Sequence, residues 1–314
     1  MTEAPNSCDL SVEIGGIRLK NPVIAASGTF GYGREYANLI DVSRLGGICT
    51  KGLTLHPRSG NSGIRLHETP SGLLNSIGLE NPGIPAFIEG ELPALCALGS
   101  VVIANLSGST IEEYAAGAAL LDESSIDMVE LNISCPNVKA GGMAFGLDAC
   151  AAAEVTAAVR RALPHKPLIA KLSPNAANIP EIAAACVSVG ADALSLVNTF
   201  KAMAIDIHRR RPVFDNIVAG LSGPAIKPIA LRMVWELRQS ELYQSFAPSI
   251  PIIGIGGITN ADDALEFLLA GAAAIQVGSA TFASPPTMLR IIEGIESYMR
   301  ENRIAVLRDL AIPR

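Results

Sequence analysis

The sequence predicts an α/β protein: a (β/α)8 TIM barrel with an N-terminal β-hairpin and long loops on the C-terminal face of the strands. Three observations lead there. Eight short aliphatic runs recur along the chain, a helix-length stretch follows most of them, and glycine-rich turns close the last two. Runs that are apolar throughout, rather than alternating, are strands buried on both faces, as in parallel sheets. Right-handed crossovers curl such a series into a closed barrel without exposed edges.

The first element is Val12–Lys20, where Val-Glu-Ile and Ile-Arg-Leu flank Gly15-Gly16. Two alternating runs joined by a glycine pair read as a hairpin, expected as a lid on the bottom of the barrel. The expected barrel strands are Val23–Ala26, Gly47–Thr50, Val101–Asn105, Met128–Ile133, Leu168–Leu172, Ala193–Val197, Ile252–Ile255 and Ala274–Val277. Helical stretches between them include Ile111–Ser124, Ala149–Leu163, Ile179–Val189, Ile226–Ser240 and Ala261–Leu269. A doubly wound open sheet is the rival, weakened by the lack of a G-x-G-x-x-G turn after the first strand. Two connections, Gly52–Pro85 and Asn198–Pro224, exceed ordinary length and read as loops around an active site rather than as a second domain. Residues 1–314 are expected to form a single domain.

With 49% apolar and 17% charged residues the composition is that of a globular protein. A net charge of −6 gives no electrostatic reason to bind nucleic acid or an anionic membrane, although His208-Arg209-Arg210-Arg211 is a local basic knot. Six cysteines without a CxxC pair suit a reduced, cytoplasmic setting. The N-terminus shows no secretory pattern, and no apolar stretch reaches the roughly 20 residues of a bilayer-spanning helix.

The sharpest chemical signal is Gly254-Ile255-Gly256-Gly257-Ile258 after strand seven, with Val277-Gly278-Ser279-Ala280 after strand eight. Loops at these places often present backbone N–H groups to a phosphate, which a side chain would block. Tight turns in a crowded barrel are the bland explanation, and phosphate alone does not separate a flavin nucleotide from a sugar phosphate. A second signal is Asn132-Ile133-Ser134-Cys135-Pro136-Asn137 at the end of strand four. A rim cysteine can act as base or nucleophile, and the flanking amides can bind a planar polar ligand; a lone cysteine is otherwise packing. Lys51 and Lys171 stand at the ends of strands two and five, where an ammonium either meets an anion or snorkels to water. Asn75, Gly78, Asn105, Asn198 and Thr199 carry no charge, and the amides among them suit a heteroaromatic ring, though each alone could be a turn residue. No histidine or carboxylate spacing suggests a metal site.

Taken in order, Asn21-Pro22-Val23, Ser27–Gly33, Thr50-Lys51-Gly52, Asn75–Leu79, Asn132–Asn137 with Val138–Gly142, Ala170-Lys171-Leu172, Val197-Asn198-Thr199, Leu221–Pro228 and the final glycine turns resemble dihydroorotate dehydrogenase from Asn21 to about Arg308. The resemblance implies one FMN per chain, its phosphate at Gly256, Gly257, Gly278 and Ser279. Ser27, Thr50, Lys51, Asn105, Asn132, Lys171, Val197 and Gly223 would surround the rest of the cofactor. Lys51, Asn75, Ile77, Gly78, Leu79, Asn132, Asn137, Asn198 and Thr199 would bind the substrate. Cys135, Lys51 and Lys171 would form the catalytic set, with Cys135 taking the C5 proton of (S)-dihydroorotate. A cysteine base marks the class distinct from the membrane-associated, quinone-reducing enzymes, which use serine. Within it, the motifs are most similar to the NAD-linked branch, in which a homodimer of the FMN barrel joins two subunits carrying FAD and a 2Fe-2S cluster. The alternatives are a self-sufficient, fumarate-reducing homodimer, another flavin-dependent pyrimidine oxidoreductase, and a phosphosugar lyase or isomerase using Lys171 as a Schiff base. A non-catalytic scaffold would leave the rim lysines and asparagines without a shared purpose. Ala202 and Ala219 depart from the family pattern, which generally has glycine there.

Overall fold

The computed structural model describes residues 8–133, 145–246 and 249–310. Eight parallel strands close into a barrel: β1 (Val23–Ala25), β2 (Gly47–Cys49), β3 (Val101–Leu106), β4 (Met128–Asn132), β5 (Leu168–Lys171), β6 (Ala193–Leu196), β7 (Ile252–Ile255) and β8 (Ala274–Val277). Each strand pairs with its neighbours in sequence, and β8 returns to β1 with Ile275 opposite Val23. The open-sheet rival is therefore excluded. Helices α1 (Ile111–Asp122), α2 (Ala149–Ala162), α3 (Ile179–Ser188), α4 (Lys227–Gln239), α5 (Ala261–Leu269) and α6 (Thr287–Glu301) lie among the connections. Their starts follow local chemistry: the side chains of Thr110, Asp148, Asn178 and Asn260 cap α1, α2, α3 and α5 by accepting the N–H three residues on.

The barrel interior is layered because successive inward positions on a strand are two residues apart. At the bottom, every strand contributes one apolar residue: Ile24, Cys49, Ile103, Met128, Ile169, Ala193, Ile253 and Ala274. The expected hairpin is present as Val12–Ile14 and Ile17–Leu19, and it does cap this end. Its Ile14 and Leu19 are fully buried in the same cluster. Gly15, at φ +56°, sits so close to the residues preceding β5 and β6 that an added Cβ would lie 2.7 Å from the Pro167 side chain.

Two steps toward the other end, the inward positions become polar: Asn105 on β3, Glu130 on β4, Lys171 on β5, Ser195 on β6 and Gln276 on β8. The barrel is dry at one end and polar at the other, which fixes where a ligand can go.

The two long connections differ from the sequence expectation, since they are not plain loops. Leu66–Thr69 and Gly72–Asn75, from the connection after β2, pair with Ala219–Ser222 and Phe200–Ala202, from the connection after β6. Strands β2 and β6 stand four places apart in a ring of eight, so the sheet reaches across the mouth from opposite sides. Their alternation was hidden by the glycine and polar residues that a short, half-exposed sheet tolerates. Ala202 and Ala219 lie directly opposite one another in this sheet, and both pack with Leu74 and Phe214. The two alanines thus form one contact.

Truncating the hairpin's plug tests the layering. Leu19→Ala is expected to cost about 2–5 kcal/mol of unfolding free energy, read by chemical denaturation. A variant as stable as the parent would show that the hairpin is not part of the barrel core.

Candidate active site

Because parallel strands all point one way, the residues at their C-terminal ends gather at one mouth. Beneath the bridging sheet lies a cavity of about 350 Å³. The strand ends bring Ser27, Lys51, Asn105, Asn132, Lys171, Val197, Asn198, Thr199, Gly256, Gly257, Gly278 and Ser279 to its wall. The roof and the segment after it add Asn75, Ile77, Gly78, Leu79 and Gly223. All these residues were singled out from the sequence, and one cavity collects them. Thr50 stands apart: it is fully buried behind the wall, its hydroxyl accepting the Asn105 N–H at 3.1 Å. Cys135 and Asn137 lie outside the described residues, just beyond Ile133 at the end of β4.

The floor of the cavity is organised by a residue that the sequence reading passed over. Glu130 is fully buried. Its Oε1 accepts from Asn105 Nδ2 at 2.7 Å, Lys171 Nζ at 3.2 Å and the Cys49 thiol at 3.3 Å. Its Oε2 accepts from Gln276 Nε2 at 2.7 Å and Ser195 Oγ at 2.9 Å. Burial works to raise its pKa, yet the Lys171 charge and the donors from Gln276, Ser195 and Cys49 prevail and hold it below the ordinary carboxylate value. The same site drives the Cys49 thiol well up, first by burial and then by the facing carboxylate, so Cys49 is an inert donor. An acidic residue in the middle of Met-Val-Glu-Leu-Asn was the available signal, by the argument already applied to Lys171.

From this carboxylate a row of amides runs up to the cavity. Asn132 donates to Asn105 Oδ1 at 3.3 Å, and Asn198 donates to Asn132 Oδ1 at 3.2 Å. The Tyr114 hydroxyl from α1 donates to the Asn132 carbonyl at 2.9 Å and ties down the end of β4. Across the mouth, Lys51 is half-buried, and burial lowers its pKa against the opposing pull of Glu80. Asn75 is stapled into the roof by its Nδ2, which donates to the Gly220 carbonyl at 3.1 Å.

At the other end of the cavity the glycines separate into two kinds. Gly256 and Gly257 have φ of +128° and +74°, and a Cβ on Gly257 would lie 2.7 Å from the Lys227 backbone nitrogen at the start of α4. Their missing side chains are required by the fold itself. Gly278 differs, because a Cβ there would meet nothing closer than 3.6 Å. Among the described residues, the N–H groups of Gly257, Gly278 and Ser279 have no acceptor. Thr259 carries the turn onward: its N–H and hydroxyl donate to Asp263 at 2.9 and 2.6 Å, and Lys227 Nζ reaches the same carboxylate at 2.7 Å. A bare backbone with free donors, next to space that the protein does not fill, fits the phosphate of FMN.

The two kinds of glycine should respond differently to alanine. Gly257→Ala is expected to lower the thermal midpoint of the apoprotein. Gly278→Ala is expected to leave it within a degree or so, at about 0.5 kcal/mol or less, while weakening FMN binding in a fluorescence titration. Equal FMN affinity in Gly278→Ala and the parent would remove that turn from the cofactor site.

Comparison with known proteins extends the geometry to a family. A sequence profile described as dihydroorotate dehydrogenase matches residues 9–299. The dihydroorotate dehydrogenase B (NAD(+)) catalytic subunit of Petrotoga mobilis is 57% identical over 302 residues, which is 96% of this chain and 98% of the relative. The subunit of the same description from Geotalea uraniireducens is 54% identical over 303 residues, covering 96% and 97%. That from Thermoanaerobacter pseudethanolicus is 51% identical over 302 residues, again covering 96% and 97%. A shared barrel by itself carries no such identity, and the chain belongs to the dihydroorotate dehydrogenase family.

Proposed function

We propose that this protein is the FMN-bearing catalytic subunit of a cytoplasmic, NAD-linked dihydroorotate dehydrogenase, oxidising (S)-dihydroorotate to orotate for pyrimidine biosynthesis. The observation that carries this reading is one roofed cavity with a row of oriented amides at one end and a free backbone cradle at the other. The relatives described above are NAD(+)-linked catalytic subunits, which favours the same acceptor here over fumarate.

FMN held by the backbone at Gly256, Gly257, Gly278 and Ser279 would supply the acceptor for the hydride leaving C6 of the substrate. The chain's own residues do the rest. Asn75, Asn132, Asn198 and Thr199 present hydrogen-bonding groups to the carbonyl and N–H edges of a pyrimidine, and Asn137 is proposed to join them. Lys51, poised at the mouth in a partly desolvated position, offers a cation to the substrate's carboxylate. Lys171 places positive charge at the floor, where negative charge accumulates on reduction. Cys135 is proposed as the base: as thiolate it takes the proton from C5, so that loss of proton and hydride leaves the conjugated double bond of orotate. Asn105, Val197, Ser27 and Gly223 complete the cofactor's surround, with Thr50 acting from behind through Asn105.

The phosphosugar lyase reading requires Lys171 as a nucleophile. Its Nζ instead donates to the buried Glu130 carboxylate, an arrangement suited to a fixed charge. Electrons must leave the barrel, and the chain has no cysteine-rich cluster motif of its own. A homodimer of this subunit with two partners carrying FAD and a 2Fe-2S cluster supplies that route.

Cys135→Ala is expected to retain FMN by visible absorbance while flavin reduction by dihydroorotate slows on the order of 10²–10⁴-fold. Reduction in the parent should quicken as pH rises from slightly acid to alkaline, because only the thiolate can take up the proton. Near-parental stopped-flow rates in the variant would eliminate Cys135 as the base. Untagged purification from the source cells should bring down an FAD and iron–sulfur protein, with NAD+ reduction lost when it is stripped away. A homodimer fully active with fumarate and recruiting no partner would overturn the acceptor assignment.

A further inference from the structure

Resting on the function proposed above, the geometry points to a further positioning residue for that reaction. We propose that Glu130 acts through Lys171 and the amide row, setting the charge and the hydrogen-bonding direction that the cavity floor presents to FMN.

The argument begins with what a carboxylate can do. It only accepts, so every group meeting it must turn a donor inward. Asn105 gives Glu130 its Nδ2 and therefore turns its Oδ1 outward, toward Asn132. Asn132 answers with Nδ2 and in turn offers Oδ1 to Asn198. An amide alone can flip; three amides in series on a fixed anion cannot do so without breaking the row. The pattern met by a bound ring is thus determined one layer below it.

The charge argument runs in parallel. Lys171 is 5% exposed and lines the cavity, and Glu130 lies 3.2 Å beneath its Nζ at full burial. The pair is neutral as a whole, with its positive end toward the cavity. Stability alone is a poor reason for such a pair, since well-packed apolar residues often serve a protein interior as well or better. This barrel builds an apolar layer directly below, one residue from each strand, so the polar layer is not forced by its shape.

Glu130→Gln is a clean probe, because Gln276 Oε1 has no hydrogen-bond partner among the described residues. After a flip of Gln276 it can accept from the new amide, which keeps a hydrogen bond between the two side chains while deleting the charge. The measurement is the FMN midpoint potential, with the FMN dissociation constant of the apoprotein, in the parent, Glu130→Gln, Lys171→Met and the double variant. A shift in Glu130→Gln equivalent to roughly tenfold or more in the ratio of reduced to oxidised FMN affinity is expected, with most of it lost in the Lys171→Met background. An unmoved potential alongside a lower thermal midpoint would reduce Glu130 to a structural part. A shift of equal size without Lys171 would also overturn the proposal. Should Glu130→Gln fail to fold, Ser195→Ala withdraws one donor from the same carboxylate. It is expected to shift the potential in the opposite, negative direction, and no shift there defeats the idea equally. A parent protein that binds no FMN at all would instead remove the functional reading itself, and this inference with it.

Discussion

Desolvation of Glu130 is the constraint on which the upper half of the barrel depends. An ionised carboxylate stripped of water costs several kcal/mol unless its lone pairs are met and its charge is countered. Here five side chains meet that demand, drawn from β2, β3, β5, β6 and β8 while the acid itself stands on β4. Six of the eight strands therefore converge on one group, and their relative heights are tied to it. Losing any one donor would expose the remainder to the cost of an unmet buried charge. The site above inherits this rigidity, since Lys171, Asn105 and Asn132 belong both to the network and to the cavity wall.

The roof expresses a second constraint, geometric rather than electrostatic. A single long loop over a barrel mouth has little to pair with and pays its ordering entropy unaided. Two such loops, rooted on opposite sides of the ring, can share a hydrogen-bonded sheet, and that is the solution found here. The sheet's centre places Asn75 opposite Gly220 and Leu73 opposite Ser222, so cavity-wall residues from both connections are held in one register. Ala202 and Ala219, which looked like two separate departures from the family pattern, face each other in this sheet. Their methyl groups add to the small apolar cluster with Leu74 and Phe214, and the backbone that carries them is a regular ladder.

Much of the fold was legible in the amino-acid sequence because its signals are local. Eight short apolar runs, glycine pairs at turns and capping residues at helix starts each act within a few positions, and the strands fall within a residue or two of where these signals put them. The rim residues were legible for a related reason: in a parallel barrel, the C-terminal end of every strand is the mouth. Any polar residue found there is already placed near the others. The cysteine and asparagine following Ile133 were read in the same way, by position and resemblance, and they lie outside the described residues.

What only the tertiary structure decided was partnership. Lys171 could be seen to need an anion, but a ligand was the natural candidate; its partner is Glu130, 41 positions away in the chain. The pairing that joins the two halves of the roof has no local signal, because it brings together residues 145 apart, such as Asn75 and Gly220. Gly257 and Gly278 read alike in sequence, yet one is demanded by the start of α4 and the other borders open space. Local propensity and periodicity are properties of neighbouring residues, whereas charge compensation, sheet pairing and close approach belong to residues that folding alone brings together.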